Sequence, residues 1–428
     1  MTAKQEPAPA IPYSRAYLRY ALGLLTVVYA FNFLDRQILV ILQESIKKEM
    51  GLSDSALGLL SGFSFAIFYV TAGLPIAWMA DRGVRRNVVA GAVTIWSLMT
   101  AVSGMARNFW QLLAARIGVG IGEAGGSPPI HAIISDYFPF AQRGRALAVY
   151  STGIYIGVLA GYLIGGWVNQ LFGWRAAFFV VGAPGLVVAL LVRLTIREPQ
   201  RGQSDAVVAT GPPPSLRESA TLIWGLRSFR WLTLAAGLTA FVTYATGNFS
   251  PSFLSRSHHL QSGEIGTALA LIVGLGGITG TYLGGYLTDR LGLRDRRWYL
   301  WVPAIALTIA LPLRVLAFMV GSLPLCFLLW IPTEICYTTF LAPSIAIAHA
   351  MVPAALRAFI SSILFFVLNL IGLGAGPLFT GWVSDLLTPR FGPEALRWSM
   401  VITCLAWIPA VCCYLLAAGN LRKDLAHT

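Results

Sequence analysis

Twelve long apolar stretches, parted by short polar links, set the pattern of this chain. They fall at roughly 17–41, 54–80, 87–106, 110–135, 142–168, 174–195, 229–254, 264–288, 297–320, 323–349, 355–383 and 395–419. A helix needs about 20 apolar residues to cross a bilayer, and each stretch meets that length. The pattern therefore predicts an all-α polytopic protein of twelve transmembrane helices. One link is long. It runs from Arg197 to Ser228, mixes charges, and contains Gly211-Pro-Pro-Pro214. It reads as a flexible linker between residues 1–196 and residues 229–428, six helices each.

Composition agrees. Of 428 residues 56% are hydrophobic and 11% charged, and mean hydropathy is +0.69, whereas soluble domains carry about 25% charged residues. The net charge of +13 is no nucleic-acid signal, because the arginines cluster in the short links. Asp81 to Arg86, Gln142 to Arg145, the linker and Asp289 to Arg297 hold most of them, all on one side of a twelve-span layout. By the positive-inside rule that side is cytoplasmic. It carries both termini. The polar, proline-containing N-terminus lacks a signal-peptide core, so the first helix is expected to insert uncleaved. The five cysteines lie in apolar spans and have neither disulfide-framework nor zinc-ligand spacing. No cofactor or metal is expected.

The spans carry ionisable residues, which are costly at membrane depth and normally face a bundle interior or a wet cavity. In the fourth span, Ala115 to Pro129 holds Arg116 and Glu123 among glycines. Seven residues apart, they share a helix face about 10 Å from each other. The glycines allow a neighbouring helix or a ligand close to the backbone. In the first span Asp35 and Arg36 lie about 24 Å from its start, and Arg116 enters the fourth from the opposite side by about 9 Å. These three fall in the outer half of the membrane and Glu123 nearer its middle. Neighbours on a helix diverge by about 100°, so Asp35 and Arg36 cannot serve one partner. One arrangement has Asp35 near Arg116 and Arg36 reaching Glu123. A wholly structural set of ion pairs is the competing reading.

A carboxylate taken out of water is easier to protonate, and a nearby guanidinium opposes that. Guanidinium binds carboxylate or phosphate bidentately and keeps its charge. Competition between a carboxylate and an anionic substrate for one arginine would couple protons to transport. Glu123 and Asp35 are the proton candidates, and Arg36 and Arg116 the substrate or charge-switch candidates. In the tenth span Glu334 stands in Trp330-Ile-Pro-Thr-Glu-Ile-Cys-Tyr337, where Pro332 is expected to break the helix. With Tyr244, Asn248, Thr333 and Tyr337 it would form an opposite wall, although such hydroxyls also serve helix–helix contacts. Arg314 reads as an interface residue that snorkels. His131 reads as structural.

The halves repeat. Asp81-Arg82 follows the second span and Asp289-Arg290 the eighth, 208 residues apart (289 − 81). Tyr29-Ala-Phe-Asn-Phe33 is echoed by Tyr244-Ala-Thr-Gly-Asn-Phe249, and Glu123 by Glu334. Parallel repeats of this kind place a transporter's binding site between the halves. Asp81, Arg82, Arg85, Asp289, Arg290 and Arg294 are candidates for pairs at helix ends that hold one conformation.

Gly285-Tyr-Leu-Thr-Asp-Arg-Leu-Gly-Leu-Arg294 resembles the signature loop of the major facilitator superfamily. The first copy departs from it at Ala77 and Val84, with Gly83 one place early. The resemblance implies six plus six helices, alternating access, and a cavity lined by helices one, four, seven and ten. Asn32-Phe-Leu-Asp-Arg36, Arg116 to Ala124, and Ser135-Asp-Tyr-Phe138 are similar to the spinster branch, which includes exporters of lysophospholipids and sphingosine-1-phosphate. The span-five motif of drug/proton antiporters is half present, with Gly157, Gly161, Gly165 and Gly166 but Tyr162 in place of proline. Gly376-Pro377 and Gly381 look like its displaced counterpart. The expected function is proton-coupled transport of an amphipathic anion, a lysophospholipid or sphingolipid-like molecule; the alternative is an antiporter of small organic anions or drugs. The partners are then that substrate, protons and the bilayer. A membrane receptor and a lipid enzyme fit less well, since no nucleophile–histidine pair or metal cluster stands out.

Overall fold

The computed structural model describes residues 13–203, 216–353 and 356–425. The Gly211 to Pro214 part of the linker lies outside them. Among the described residues the chain forms twelve rods. The first six are α1 (Arg15–Met50), α2 (Asp54–Arg82), α3 (Arg85–Ser103), α4 (Phe109–Ala124 continued by Ser127–Tyr137), α5 (Phe140–Phe172) and α6 (Trp174–Thr195). After a short helix at Leu216–Gly225 come α7 (Arg227–His258), α8 (Ser262–Gly292), α9 (Trp298–Met319) and α10 (Leu323–Thr338 continued by Leu341–Ala350). The last two are α11, from Arg357 to Phe391, and α12, from Ala395 to Leu425. Rods and expected spans agree to within a few residues except where rods overrun the bilayer. α1 extends nine residues past its apolar stretch, from Ile41 to Met50.

Among the described residues five of the rods are interrupted: α2, α4, α10, α11 and α12, the last at Leu405-Ala406. α4 breaks at Gly125-Gly126 and restarts with prolines in its first turn, where a missing N–H costs nothing. α2 carries a π-helical turn at Leu59–Phe63, and α11 a longer one at Leu368–Ala375 before Gly376-Pro377. These two irregular turns pack on one another. α10 does not break at Pro332, as its sequence led us to expect. The helix runs through that proline and is interrupted only after Thr338. A transmembrane helix tolerates an internal proline when neighbouring groups cover the freed carbonyl.

Small residues set how closely the rods approach. Of the α5 glycines that look like an antiporter motif, Gly157, Gly161 and Gly165 pack α5 onto α1, and Gly166 faces Ser262 and Gly266 of α8. A Cβ on Gly161 would meet the Gln37 Cβ at 2.7 Å, and one on Gly165 the Ile41 side chain at 2.6 Å. Across the halves, α5 packs on α8 and α2 packs on α11. A Cβ on Gly62 would lie 2.6 Å from the Leu373 carbonyl, and Gly381 abuts the backbone of Asp54. Glycines of α2 and α11 thus bring the two halves together on one side, and Gly166 of α5 with Gly266 of α8 does so on the other.

The outward surfaces of the rods are apolar. Trp78, Trp110, Phe172, Leu194 and Tyr282 are all more than half exposed, as faces turned to lipid are. The charged side chains instead gather at the rod ends and in the middle of the bundle.

Candidate functional site

A cavity of about 150 Å³ lies between the halves. α1, α4, α7 and α10 contribute to it, as expected, through Arg36, Arg116, Tyr244 and Glu334; α2, α5, α8, α9 and α11 add single residues or pairs. Its N-terminal wall is built on α1. Asp35 and Arg36 diverge, as adjacent helical residues must. Arg36 points to the cavity and its Nε donates to Glu123 Oε2 at 2.7 Å. Its guanidinium also lies over three aromatic rings, Phe65 at 4.8 Å, Phe33 at 5.2 Å and Tyr69 at 5.3 Å. Such stacking holds a partly desolvated cation by about 2 kcal/mol or more. Glu123 is buried and its Oε1 has no hydrogen-bond partner, so one carboxylate oxygen is committed to Arg36 and the other is free.

Asp35 turns the other way. It is fully buried, flanked by Thr100 and within electrostatic reach of Arg116, but no direct ion pair forms with that arginine. Arg116 is only 2% exposed, and its Nε and Nη1 carry no partner. The expected pairing of Arg36 with Glu123 is therefore observed, while Asp35 and Arg116 are neighbours without contact. Asp35 and Glu123 sit behind the wall, and the two arginines line it.

On the opposite wall, Tyr244 and Asn248 line the cavity. The Asn248 amide donates to the Tyr244 carbonyl at 2.8 Å, leaving its Oδ1 unpartnered. Tyr337 donates to Glu334. Thr333 is buried off the lining and donates to the Leu329 carbonyl at 2.8 Å, the ordinary use of a helical threonine. Arg314 corrects its sequence reading. Rather than snorkelling at an interface, it is 1% exposed and lines the cavity, with its guanidinium 4.2 Å over Trp330 and 5.0 Å over Phe318. Gln37 and Tyr162, which the sequence did not single out, line it too. His131 packs edge-on to Tyr150 at 5.2 Å.

The six helix-end candidates occupy the end of the bundle that carries the termini. Arg85 is the one of the six seen in an ion pair. It bonds Asp136 at 2.6 Å, Glu198 at 2.9 Å and the Pro199 carbonyl at 3.0 Å, tying α3, α4 and the segment after α6. The others are not brought together. Arg82 lies 4.0 Å over Trp78, Asp81 accepts through its backbone carbonyl from Arg201, and Arg294 closes the turn after α8. Asp289 accepts from the Tyr299 hydroxyl at 2.9 Å and Arg290 donates to the Tyr286 hydroxyl at 3.2 Å. Just beyond, Asp295 bonds Arg297 and Arg422, which hold its carboxyl below the usual carboxylate range. The ion pairs seen at this end join residues of the same half.

The far end differs, and the sequence did not reveal it. There Arg256 of α7 makes a bidentate pair with Asp54 of α2, 2.8 Å to each oxygen, and its Nε donates to Glu44 of α1 at 2.9 Å. Lys47 reaches Asp54 at 2.5 Å and Ser384 of α11 reaches it at 2.6 Å. Asp385 accepts from the backbone N–H groups of Asp54 and Ser55 at 2.9 and 2.8 Å, a carboxylate at the positive end of a helix dipole. This network crosses between the halves, so the bundle is closed at the end away from the termini.

The sequence profile of the Major Facilitator Superfamily matches residues 25–315 and again 232–425. An MFS-type efflux pump of Mycolicibacterium smegmatis is 37% identical over 410 residues, 95% of this chain and 94% of that one. A probable L-galactonate transporter of Escherichia coli is 32% identical over 63% of this chain and 61% of that protein. Among solved structures, a bacterial homologue of the human lysosomal transporter spinster is similar in an inward-facing, unoccupied conformation. It has 33% identity and a TM-score of 0.88, covering 96% of this chain and 99% of that one. The same protein in an occupied inward-facing conformation gives a TM-score of 0.85.

Proposed function

The chain belongs to the major facilitator superfamily, and from that premise we propose that it is a proton-coupled transporter of an amphipathic organic anion, working by alternating access. The observation that carries this reading is the Arg36–Glu123 pair at the cavity wall. Arg36 is a guanidinium that an anion can reach, since its side chain is 19% exposed, whereas Glu123 is fully buried behind it. When Glu123 takes a proton, Arg36 loses its partner and turns its charge to the cavity. An anionic headgroup then replaces the carboxylate as the acceptor. Release of the substrate restores the pair and expels the proton. Asp35, buried beside Arg116, is a second proton store on the same wall.

The substrate class is a lysophospholipid or a related single-chain lipid anion. The similarity to a spinster homologue along nearly the whole chain supports it, as does the wall of aromatic rings around Arg36. A second reading, transport of small organic anions, draws support from the likeness to a sugar-acid transporter over part of the chain. The basic links at the termini end support a cytoplasmic side there, with the protein in the inner membrane of a bacterium. On this reading the far-end network closes the outer face, which fits the similarity to an inward-facing spinster homologue.

The test is internal pH in proteoliposomes holding purified protein. A lysophospholipid panel and a small-anion panel are added, with Glu123→Gln beside wild type and protein-free vesicles as the control for lipid-induced leak. A pH change with one panel, present in wild type and absent in the variant, is the expected result. Proton movement that survives Glu123→Gln unchanged would overturn the role given to this pair.

A further inference from the structure

The C-terminal wall of the cavity holds an ionisable group that the proton-coupled reading does not use. Arg314 comes from α9, a rod that otherwise packs against α10 and α12 behind the cavity. It is 1% exposed, yet it lines the cavity. Its Nε and Nη1 have no hydrogen-bond partner, and Nη2 makes one long bond of 3.4 Å to the Thr246 hydroxyl. Trp330 and Phe318 hold the guanidinium plane by its face, which fixes where its edge points. Glu334 lies within electrostatic reach but is engaged by the Tyr337 hydroxyl. A buried arginine with free N–H groups is costly until a ligand compensates it. The N-terminal wall presents the same feature in Arg116, whose Nε and Nη1 are also buried and unpartnered. One cavity therefore receives unsatisfied guanidinium edges from both halves, while Glu334 is the only carboxylate among the described residues that lines it.

We propose that Arg314 is the anion-binding residue of the C-terminal half, and that it makes the site selective for substrates carrying two negative charges over those carrying one. This rests on the reading of the cavity as an organic-anion site. The charges can sit on one phosphate monoester or on two carboxylates; the shared chemistry is a dianion that gives acceptors to both walls. Guanidinium forks suit either, since each binds a carboxylate or phosphate through two N–H groups.

The experiment is a titration of tryptophan fluorescence with the purified full-length chain in nanodiscs at pH 8. Trp330 under Arg314 provides a reporter. Two matched pairs are used: a short-chain lysophosphatidate against the lysophosphatidylglycerol of the same chain, and adipate against its monomethyl ester. For one pair at least, wild type should bind the dianion about tenfold or more tightly than the monoanion, the worth of a charge-assisted hydrogen bond. Which pair does so identifies the source of the dianion. Arg314→Gln should bring that ratio to about one by weakening the dianion at least about tenfold more than the monoanion. Arg314→Lys, which keeps the charge without the fork, guards against a folding defect and should restore part of the ratio. A wild-type ratio near one in both pairs, or equal weakening of both members in Arg314→Gln, overturns the inference and leaves the anion site standing. Failure of all four compounds to bind wild type overturns both.

Discussion

Removing Arg256 should open the far end of the bundle. Arg256 is the one cation that the C-terminal half contributes to that network, and it faces Asp54 and Glu44 of the N-terminal half. The perturbation is Arg256→Gln, close in length and able to hydrogen-bond but uncharged. Breaking a buried ion pair by deleting one partner typically costs about 3–5 kcal/mol. Here the loss is smaller, because Lys47 and Ser384 still serve Asp54 and the Arg256 side chain is 13% exposed. About 2 kcal/mol is a fair figure, which at 1.4 kcal/mol per decade shifts the closed-to-open ratio about thirtyfold. The sign follows from the charges left behind. Asp54 and Glu44 on one side of the seam and Asp385 on the other would be left with Lys47, itself of the N-terminal half, as the cation bonded to them, and carboxylates at such spacing repel.

The assay is a pair of spin labels at Lys48→Cys on α1 and Arg390→Cys on α11, both exposed far-end positions, in a background without the native cysteines. Wild type in nanodiscs should give a dominant short distance. Arg256→Gln should transfer population to a longer one. Arg256→Lys, which keeps charge but loses the bidentate fork, should fall between. An unchanged distance distribution in Arg256→Gln would refute the argument, because it would mean that glycine packing rather than the ionic network closes this end.

Two more predictions separate these causes from one another. Gly62→Ala should shift the same labels to longer distance with the ionic network intact, because the added Cβ would meet the Leu373 carbonyl at 2.6 Å and Pro377 at 3.0 Å; a distribution identical to wild type would show that α2 and α11 have slack. Arg85→Ala should lower stability by about 2 kcal/mol, below the full cost of breaking a buried pair, because buried Asp136 and half-buried Glu198 lose a shared partner while keeping others, and it should make the segment after α6 newly sensitive to limited proteolysis; unchanged thermal stability and cleavage would count against a structural role for this cluster.

Much of the fold was legible because the bilayer imposes a length on every apolar run. What composition cannot show is how a rod is interrupted. The π turns at Leu59–Phe63 and Leu368–Ala375 leave hydropathy unchanged, and Pro332 would read as a break in any soluble helix. The pairing of Arg36 with Glu123 was legible because depth along two helices can be counted from their ends. Arg314 was not, for the opposite reason. It lies six residues from the end of its span, a distance at which an arginine usually reaches water, and only the packing of α9 against Trp330 and Phe318 turns it inward. The far-end network escaped notice because each member sits at a span end, where a charge is unremarkable. Asp54 and Arg256 are 202 residues apart in sequence, and nothing local to either names the other. One faint signal was present: Asp54 follows Ser53, which caps α2, so its carboxylate was not needed for the cap and was free for another use.

The placement of these ionic groups also bears on how the halves could move. The Arg36–Glu123 pair joins α1 to α4, and Arg314 lies near Glu334 of the adjacent α10. Each therefore stays within one half and does nothing to hold the halves together. The Arg256 network joins them, but only at the far end. A ligand in the cavity would be the one group touching charged residues of both halves near mid-membrane. Its contacts can strengthen as the halves rock around it, whereas the contacts of Arg256 must be broken. Opening of the far end in an unloaded protein therefore meets the full cost of that network, of which Arg256 accounts for about 2 kcal/mol. A ligand that grips both walls offsets it only if it is bound more tightly in the far-open state than in this one. On this argument, Arg256→Gln should relax the requirement for substrate, and proton leak without substrate should rise as the far end opens.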